Sequence, residues 1–343
     1  MELKKIMLRA AALAVVFAFA LPAWAVVQGV DVSTHQGAVN WATMKAAGIQ
    51  FAYCKATEGV DFVDARFTQN MTNANAAGVL IGPYHYGRPD SNSSNPLDAF
   101  NEANDFVDAI QPYYNSSGLY LRPVLDVEEF LDLATVAQER AFLSKWVRDF
   151  SDQVVARLGV LPIIYCNGNY AQNYLEANIA VHDLWFAKPS STNTYASATP
   201  PTAANLGIWN EWTFWQWTWT GNIGGENPVD RNVFAGEMSD LAEYIVGFVP
   251  GDYNGDGKVD AADYSKWRDS MGQSVLPGRG ADGNLNGVID AGDYGIWKVN
   301  YGASGAGVGS ISVVPEPAST FFIFIAAVVS FACRPRHRIV SGR

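Results

Sequence analysis

The segment Arg122-Pro123-Val124-Leu125-Asp126-Val127-Glu128 joins a short apolar run to two acidic residues that are two positions apart. An apolar run of this length predicts a buried strand. Side chains alternate along a strand, so Asp126 and Glu128 should project to one side, while Glu129 should point the other way and be solvated. At the carboxyl end of a parallel barrel strand, that side is the mouth of the barrel, where active sites lie.

Short apolar runs alternate with amphipathic stretches on both sides of this segment. Such alternation implies parallel strands in a buried sheet. After Asp183 the predicted helices stop, which indicates an α/β fold with a closed barrel whose last strands lack helices. The predicted strands are Gln28–Val32, Ile49–Lys55, Gly78–Tyr84, Arg122–Val127, Leu161–Tyr165, Asp183–Ala187, Thr213–Trp217 and Val229–Asn232. The predicted helices are Trp41–Ala47, Ala65–Ala77, Pro96–Ile110, Ala137–Leu158 and a shorter Tyr170–Ala177.

Two further acids lie at strand ends: Asp31 after the first strand and Asp230 near the last. The first and last strands of a closed barrel are neighbours, so these acids should meet across the seam and face the mouth with Asp126 and Glu128. Glycoside cleavage needs one protonated and one ionised carboxyl group, and neighbouring like charges push two pKa values apart. A polar strand end or a metal site would also account for the Asp-x-Glu triplet alone.

Together these residues resemble glycoside hydrolase family 25, the lysozymes of the muramidase type, over residues 28–235. The matching motifs, in order, are Asp31-Val-Ser-Thr-His-Gln-Gly37, Phe51-Ala-Tyr-Cys-Lys-Ala-Thr-Glu-Gly59, Gly82-Pro-Tyr-His-Tyr86, Asp126-Val-Glu128, Ile164-Tyr165, Leu184-Trp-Phe-Ala187, Trp215-Gln-Trp217 and Val229-Asp230. The resemblance implies an irregular barrel of eight strands and five helices that needs no catalytic cofactor. It also implies that Glu128 is the proton donor and that Asp126 assists as nucleophile or orients the substrate's acetamido group.

Aromatic residues at strand ends are candidate platforms for sugar rings, because each combines a large apolar face with a polar group. Ordinary core packing is an equal alternative for each of them. The candidates are Tyr53, Tyr84, Tyr165, Trp185, Trp215 and Trp217. His85 is expected to make a structural hydrogen bond, and Lys55 and Glu58 to form an ion pair. Cys54 and Cys166 are expected to be buried thiols rather than a disulfide.

Residues 250–302 contain a second pattern, repeated at an offset of 30 residues. Oxygen-bearing side chains at alternating positions, with a glycine at position six, are typical of a loop that binds calcium. The first loop offers Asp252, Asn254, Asp256, Lys258 (through its carbonyl), Asp260 and Asp263, and the second offers Asp282, Asn284, Asn286, Val288, Asp290 and Asp293. The second loop has one carboxylate fewer, so weaker binding is expected. The repeats resemble dockerins, which implies a cohesin-like protein partner.

The two ends of the chain predict export. Residues 1–25 have a basic start, an apolar run and an Ala23-Trp-Ala25 cleavage site, as in a secretory signal peptide. Residues 315–343 combine Pro315-Glu316-Pro317, an apolar run and an arginine cluster, and resemble the sorting tails named for that triplet. These tails hold a protein in the membrane until a transpeptidase cuts it, although a permanent anchor would look similar. Residues 303–314 form a linker between the repeats and the tail.

Charge and composition narrow the remaining alternatives. A formal net charge of −11 without a basic patch argues against nucleic-acid binding. Peptidoglycan is the expected substrate, and another N-acetylated polymer such as chitin would need the same chemistry. A non-catalytic glycan-binding surface protein is the main alternative from another class. Binding alone does not require two carboxylates at one strand end, which favours an enzyme.

Overall fold

The computed structural model describes residues 26–91, 95–190 and 194–304. The predicted signal peptide, the sorting tail and nearly all of the linker lie outside these residues. Among the described residues, no helix is both long and apolar enough to cross a bilayer.

Within these described residues, nine strands form one sheet, and eight of them close into a barrel. The strands are β1 Gln28–Val32, β2 Phe51–Glu58, β3 Phe62–Val63, β4 Leu80–Tyr86, β5 Val124–Asp126, β6 Ile163–Asn167, β7 Leu184–Ala187, β8 Phe214–Ile223 and β9 Glu226–Phe234. Their order is β1-β9-β8-β7-β6-β5-β4-β2-β3, and a parallel β1–β2 pairing closes the ring. The two-residue β3 only extends the edge of β2. The predicted eight-stranded α/β barrel is therefore confirmed.

In the part of the chain that the structure describes, four α-helices pack outside the barrel and two follow it. They are α1 Trp41–Ala46, α2 Phe67–Ala76, α3 Asp98–Tyr114, α4 Val136–Leu158, α5 Ala261–Ser270 and α6 Ala291–Asn300. Local chemistry sets the ends of α4: the Thr135 side chain accepts a hydrogen bond from the Gln138 amide, and Gly159 ends the helix at φ +67°. Tyr170–Tyr174, predicted as a short helix, is a single π-helical turn.

Strand alternation divides each barrel strand between two environments. On β2, Phe51 and Tyr53 point into the barrel, while Ala52 and Cys54 join the core between the sheet and the helices. The side chains in the barrel interior and those between the sheet and the helices are fully buried, so both layers exclude solvent. The barrel interior is thus a filled core rather than a channel, and only its upper end remains for a site. Cys54 and Cys166 are buried free thiols, as expected.

The last strand runs in the opposite direction to most of the barrel. β9 pairs antiparallel with both β8 and β1, whereas the remaining barrel pairs are parallel. The short β8–β9 turn explains this difference, because a parallel return would need a crossover of a dozen or more residues. The alternation of strands with helices predicted parallel pairing, but the predicted helices stop after Asp183, and β9 lies in that last part of the barrel.

The repeat region forms two loop–helix units with a small core of their own. Each helix begins with a capping box, from Asp260 to Asp263 and from Asp290 to Asp293. Trp267 and Trp297 cross over symmetrically: each indole N–H donates to a carbonyl of the other repeat, at 2.7 and 2.8 Å. The tryptophans therefore join the two helices.

Candidate active site

Four carboxyl groups from three parts of the sheet line one cavity at the mouth of the barrel. Its volume is about 210 Å³. Asp31 lies near the end of β1, Asp126 and Glu128 lie at and just after the end of β5, and Asp230 lies in the middle of β9. The barrel therefore brings together positions up to 199 residues apart. The lining residues are Asp31, Ser33, His35, Lys55, Tyr84, Tyr86, Asp126, Glu128, Tyr165, Trp185, Gln216 and Asp230.

Asp31 and Asp230 face each other across the barrel seam, where they are direct partners in the β1–β9 register. Asp31 accepts hydrogen bonds from the side-chain amides of Asn232 at 2.7 Å and Gln216 at 3.0 Å. Burial raises the pKa of Asp31 to about 6, and these hydrogen bonds oppose the rise. Burial and the adjacent Asp31 charge raise the pKa of Asp230 to about 8. Near neutral pH the pair therefore shares one proton.

Asp126 and Glu128 form the second pair. Asp126 is buried at the end of β5, and its Oδ1 accepts no hydrogen bond from any described residue. Burial and the charge of Glu128 raise the pKa of Asp126. Burial, then the charge of Asp31, raises the pKa of Glu128, while Lys55 opposes that change. A buried carboxyl oxygen without a partner is costly, which indicates a position reserved for a ligand.

Basic and acidic side chains alternate along one side of the mouth of the barrel. Lys55 pairs with Glu58 as expected, and Glu58 also pairs with Arg88. Glu129, predicted to point away and be solvated, is not among the residues that line the cavity, and it is partly exposed. It also accepts hydrogen bonds from Arg88 at 2.8 Å and from the Tyr86 hydroxyl at 3.0 Å. Strand β5 ends at Asp126, so strict alternation no longer applies to the residues after it.

The six candidate aromatic platforms divide into two groups. Tyr84, Tyr165 and Trp185 line the cavity. Tyr53 lies one layer below, stacked on Trp185 at 4.8 Å, and is wholly buried. Trp215 and Trp217 are also wholly buried, in a separate cluster outside the barrel. The last three rings have no face open to a sugar, so their assignment as substrate-binding residues is corrected.

Gln216 is one of the site residues that sequence reasoning missed. It points inward between the outward Trp215 and Trp217, so its polarity between two apolar neighbours was the available signal. Its side chain donates to Asp31 and accepts from the Tyr165 hydroxyl at 2.8 Å. His85, by contrast, is fully buried between Thr57 at 2.7 Å and Glu102 at 2.8 Å, which is the expected structural role.

In both repeat loops the acidic side chains accept hydrogen bonds from backbone amides of their own loop. In the first loop, Asp252 accepts from the Gly257 amide at 2.8 Å and Asp263 from the Tyr253 amide at 2.8 Å. In the second, Asp282 accepts the equivalent bond from the Gly287 amide, and Asp293 accepts from the Asn284 amide, as Asp263 does from Asn254 in the first loop. The donor set suits a hard cation. Within residues 26–91, 95–190 and 194–304, however, no three acidic, histidine or cysteine side chains converge as a metal site.

Comparisons with known proteins agree with this geometry. Residues 30–226 match the model of glycosyl hydrolases family 25. The chain is 33% identical to Lysozyme M1 of Streptomyces globisporus over 225 residues, 63% of this chain and 70% of that protein. A solved bacterial lysozyme from Streptomyces coelicolor is 32% identical with a TM-score of 0.52, covering 64% of this chain and 97% of that one. The fold, the site and the matched residues together show that this chain is a glycosidase and belongs to glycosyl hydrolases family 25.

Proposed function

We propose that the protein is a lysozyme that hydrolyses the β-1,4 bond between N-acetylmuramic acid and N-acetylglucosamine in peptidoglycan. The observation that carries the proposal is the convergence of four carboxyl groups with raised pKa values in one cavity. Groups whose pKa values are displaced toward neutrality supply both an acid and a base near pH 7. Relatives named lysozyme and N,O-diacetylmuramidase support the choice of substrate.

Glu128 is the general acid in this proposal. It is the more exposed member of the Asp126–Glu128 pair, so it can reach the oxygen of the leaving sugar. Burial, then the charge of Asp31, raises its pKa, which favours the protonated form that gives a proton to that oxygen as the glycosidic bond breaks. Asp126, through its unpartnered oxygen, stabilises the positive charge that develops at the anomeric carbon or orients the acetamido group of the substrate. Asp31 and Asp230 hold the acidic floor and bind sugar hydroxyls.

A Glu128→Gln variant tests the assignment. Loss of the proton donor should lower turnover of purified peptidoglycan at least a hundredfold, because general acid catalysis contributes roughly 10²–10⁴-fold. Glu237→Gln is the matched control, since Glu237 is exposed on the loop after β9, at the opposite end of the barrel. Mass spectrometry should identify N-acetylmuramic acid at the new reducing ends. Undiminished turnover in Glu128→Gln would refute the role of Glu128.

The same assay separates the alternative functions. Cleavage of chitin but not of peptidoglycan would identify another N-acetylated polymer as the substrate. Binding of glycan without any new reducing ends would identify a non-catalytic surface protein and overturn the proposal.

We further propose that the repeats bind calcium and, by their resemblance to dockerins, a cohesin-like protein. Asp256 in the first loop is replaced by Asn286 in the second, so the first loop should bind calcium more tightly. Calorimetric titration of calcium into the chelator-treated protein should show two unequal sites, and Asp252→Ala should remove the tighter one. Retention of a cohesin domain on the immobilised protein, lost in chelator, tests the partner. A titration that shows no heat of calcium binding would contradict both the calcium sites and the calcium-dependent partner.

The termini suggest where the enzyme acts. We propose export through the signal peptide, transient anchoring by the tail, and release at the cell envelope after cleavage near Pro317. Mass spectrometry of the mature protein should find an amino terminus at Val26 and no peptide from residues 339–343. Peptides from that end in the mature protein would show a permanent anchor instead.

A further inference from the structure

Trp219 lies on β8 beside the catalytic cavity and differs from the two tryptophans that precede it. Trp215 and Trp217 are fully buried outside the barrel, whereas the Trp219 side chain is 53% exposed. Regular alternation would place all three on the outer face. The β8–β9 register shifts between Gln216 and Thr218, and again between Thr218 and Gly221. These irregularities release Trp219 from the outer row of side chains and allow it to turn toward the mouth.

The indole of Trp219 is held in place by the site itself. Its Nε1–H donates to Gln216 Oε1 at 2.7 Å. The same Gln216 donates to Asp31 at 3.0 Å and lies 3.4 Å from an Asp230 oxygen. The ring is therefore fixed relative to the acidic floor while much of its surface stays in water. An aromatic side chain that is already immobile loses little conformational entropy when a ligand covers it.

The size of the cavity requires contacts outside it. At about 210 Å³ it is below the roughly 300–1,000 Å³ of a site for a drug-sized ligand, so a glycan polymer must continue over the rim. Strand β4 stands directly across the barrel from β8, since four steps separate them in either direction around the ring. Its rim aromatic, Tyr86, already has Lys55 and Arg88 over its ring at 4.9 and 4.8 Å. On the β8 side the exposed ring is Trp219.

We infer that Trp219 is a stacking platform for a pyranose ring of the glycan next to the residue held in the cavity. The inference rests on the proposed function and adds a specificity residue to it. A sugar ring presents C–H groups on one face, and an indole offers the largest flat apolar surface of any side chain. Trp219 therefore selects for chain length: it contacts glycans that extend past the cavity and leaves shorter ones unaffected.

The test measures binding without turnover, in the Glu128→Gln protein. A tetramer and a dimer of β-1,4-linked N-acetylglucosamine are titrated by calorimetry. Adding Trp219→Ala should weaken tetramer binding roughly five- to twentyfold and dimer binding less than twofold. Trp219→Phe keeps a ring but loses the N–H, and should keep tetramer affinity within about threefold. Tyr301→Ala removes an aromatic of similar exposure, 59%, in the repeat region and should change neither.

Three outcomes would overturn the inference or separate it from the proposed function. Unchanged tetramer binding in Trp219→Ala refutes the platform. Equal loss in Trp219→Phe and Trp219→Ala shows that the N–H acts by positioning Gln216, and also refutes stacking. If the protein with Glu128 intact cuts no glycan, that result contradicts the proposed function instead. If that protein cuts glycan but Trp219→Ala leaves tetramer binding unaltered, only the role of Trp219 is contradicted.

Discussion

At the scale of single residues, proton affinity is the property that organises this site. Asp31 and Asp230 are adjacent, buried and joined to the same network of amides. A buried carboxylate is costly unless it is neutralised or well hydrogen bonded. Both conditions are met here. Asp31 accepts hydrogen bonds from two side-chain amides, and Asp230 stays protonated up to its pKa of about 8. Ionisation of the Asp31–Asp230 pair therefore lowers the stability of the folded protein at alkaline pH.

Asp230→Asn tests that conclusion. Because the pKa of Asp230 in the folded protein is above its ordinary value of 3.8, folding is favoured while the group is protonated. This contribution is complete below about pH 3.8, is lost progressively as pH rises above that value, and is gone above about pH 8. An amide cannot ionise, so the stability of the variant relative to the unchanged protein should rise by about 1–2 kcal/mol between pH 5 and pH 9, or roughly 2–8 °C in Tm.

Thermal unfolding at both pH values measures the effect, and the difference between the two proteins reports the titration of the Asp31–Asp230 pair. Glycan hydrolysis should fall at least tenfold in the variant. An identical difference in Tm at pH 5 and pH 9 would show that Asp230 does not hold its proton in the folded protein.

At the scale of elements, β8 shows how one strand serves two environments. Trp215 and Trp217 pack outside the barrel, Gln216 points into the site, and the irregular register beyond it turns Trp219 to the rim. Trp215 donates its indole N–H to the Lys188 carbonyl at 2.9 Å. The equivalent Trp217 nitrogen is buried and finds no acceptor among the described residues.

This contrast predicts different costs for the same substitution. Trp215→Phe loses a buried hydrogen bond and leaves a carbonyl without its donor, so it should lower the free energy of unfolding by about 1–3 kcal/mol more than Trp217→Phe. Denaturant titration measures both. Because neither ring reaches the cavity, kcat/KM per folded molecule should stay within about threefold in each variant. A large rise in KM for either variant would show that the substituted tryptophan does contact the sugar substrate.

At the scale of the whole molecule, the second repeat is docked on the closed end of the barrel, away from the catalytic mouth. Leu285 is 1% exposed and joins the barrel's interior core, next to Leu119 and Phe248. Its φ of +61° is a left-handed conformation that is strained for leucine. The first loop has Gly255 at the equivalent position, with φ +75°. Arg279 adds hydrogen bonds to the Ser117 carbonyl and to Asn75.

Leu285→Ala should therefore destabilise the barrel and not only the repeats. Loss of a fully buried leucine costs about 2–5 kcal/mol, and calorimetry should show a lower Tm for the main transition. Val288→Ala is the matched control in the same loop, since Val288 is 40% exposed, and should stay within about 0.5 kcal/mol. A barrel transition unaltered by Leu285→Ala would show that the two parts unfold independently.

Local pattern in the sequence was enough for the barrel, the acids and the repeats. Alternating apolar runs predicted eight strands, because side-chain direction along a strand depends only on the local backbone. The Asp-x-Glu triplet identified Asp126 and Glu128 as the acids at the end of β5, although β5 ends at Asp126 and the conformation after it brings Glu128 to the cavity. The 30-residue offset likewise revealed the duplicated loops without any knowledge of their contacts. Nothing in these patterns depends on residues far away in the chain.

Only the tertiary structure decided which side of each strand faces the site and how its groups titrate. Asp31 meets Asp230 through the register of the barrel seam, and Gln216 reaches Asp31 from 185 positions away. Trp215 and Trp217 fall on the outer face because barrel closure sets the phase of β8, which a local pattern of alternation leaves open. Burial and neighbouring charge raise the pKa values, and the docking of Leu285 depends on a hydrophobic surface built by Leu119 and Phe248. Each of these properties arises from contacts between distant segments, and such contacts exist only once the chain has closed on itself.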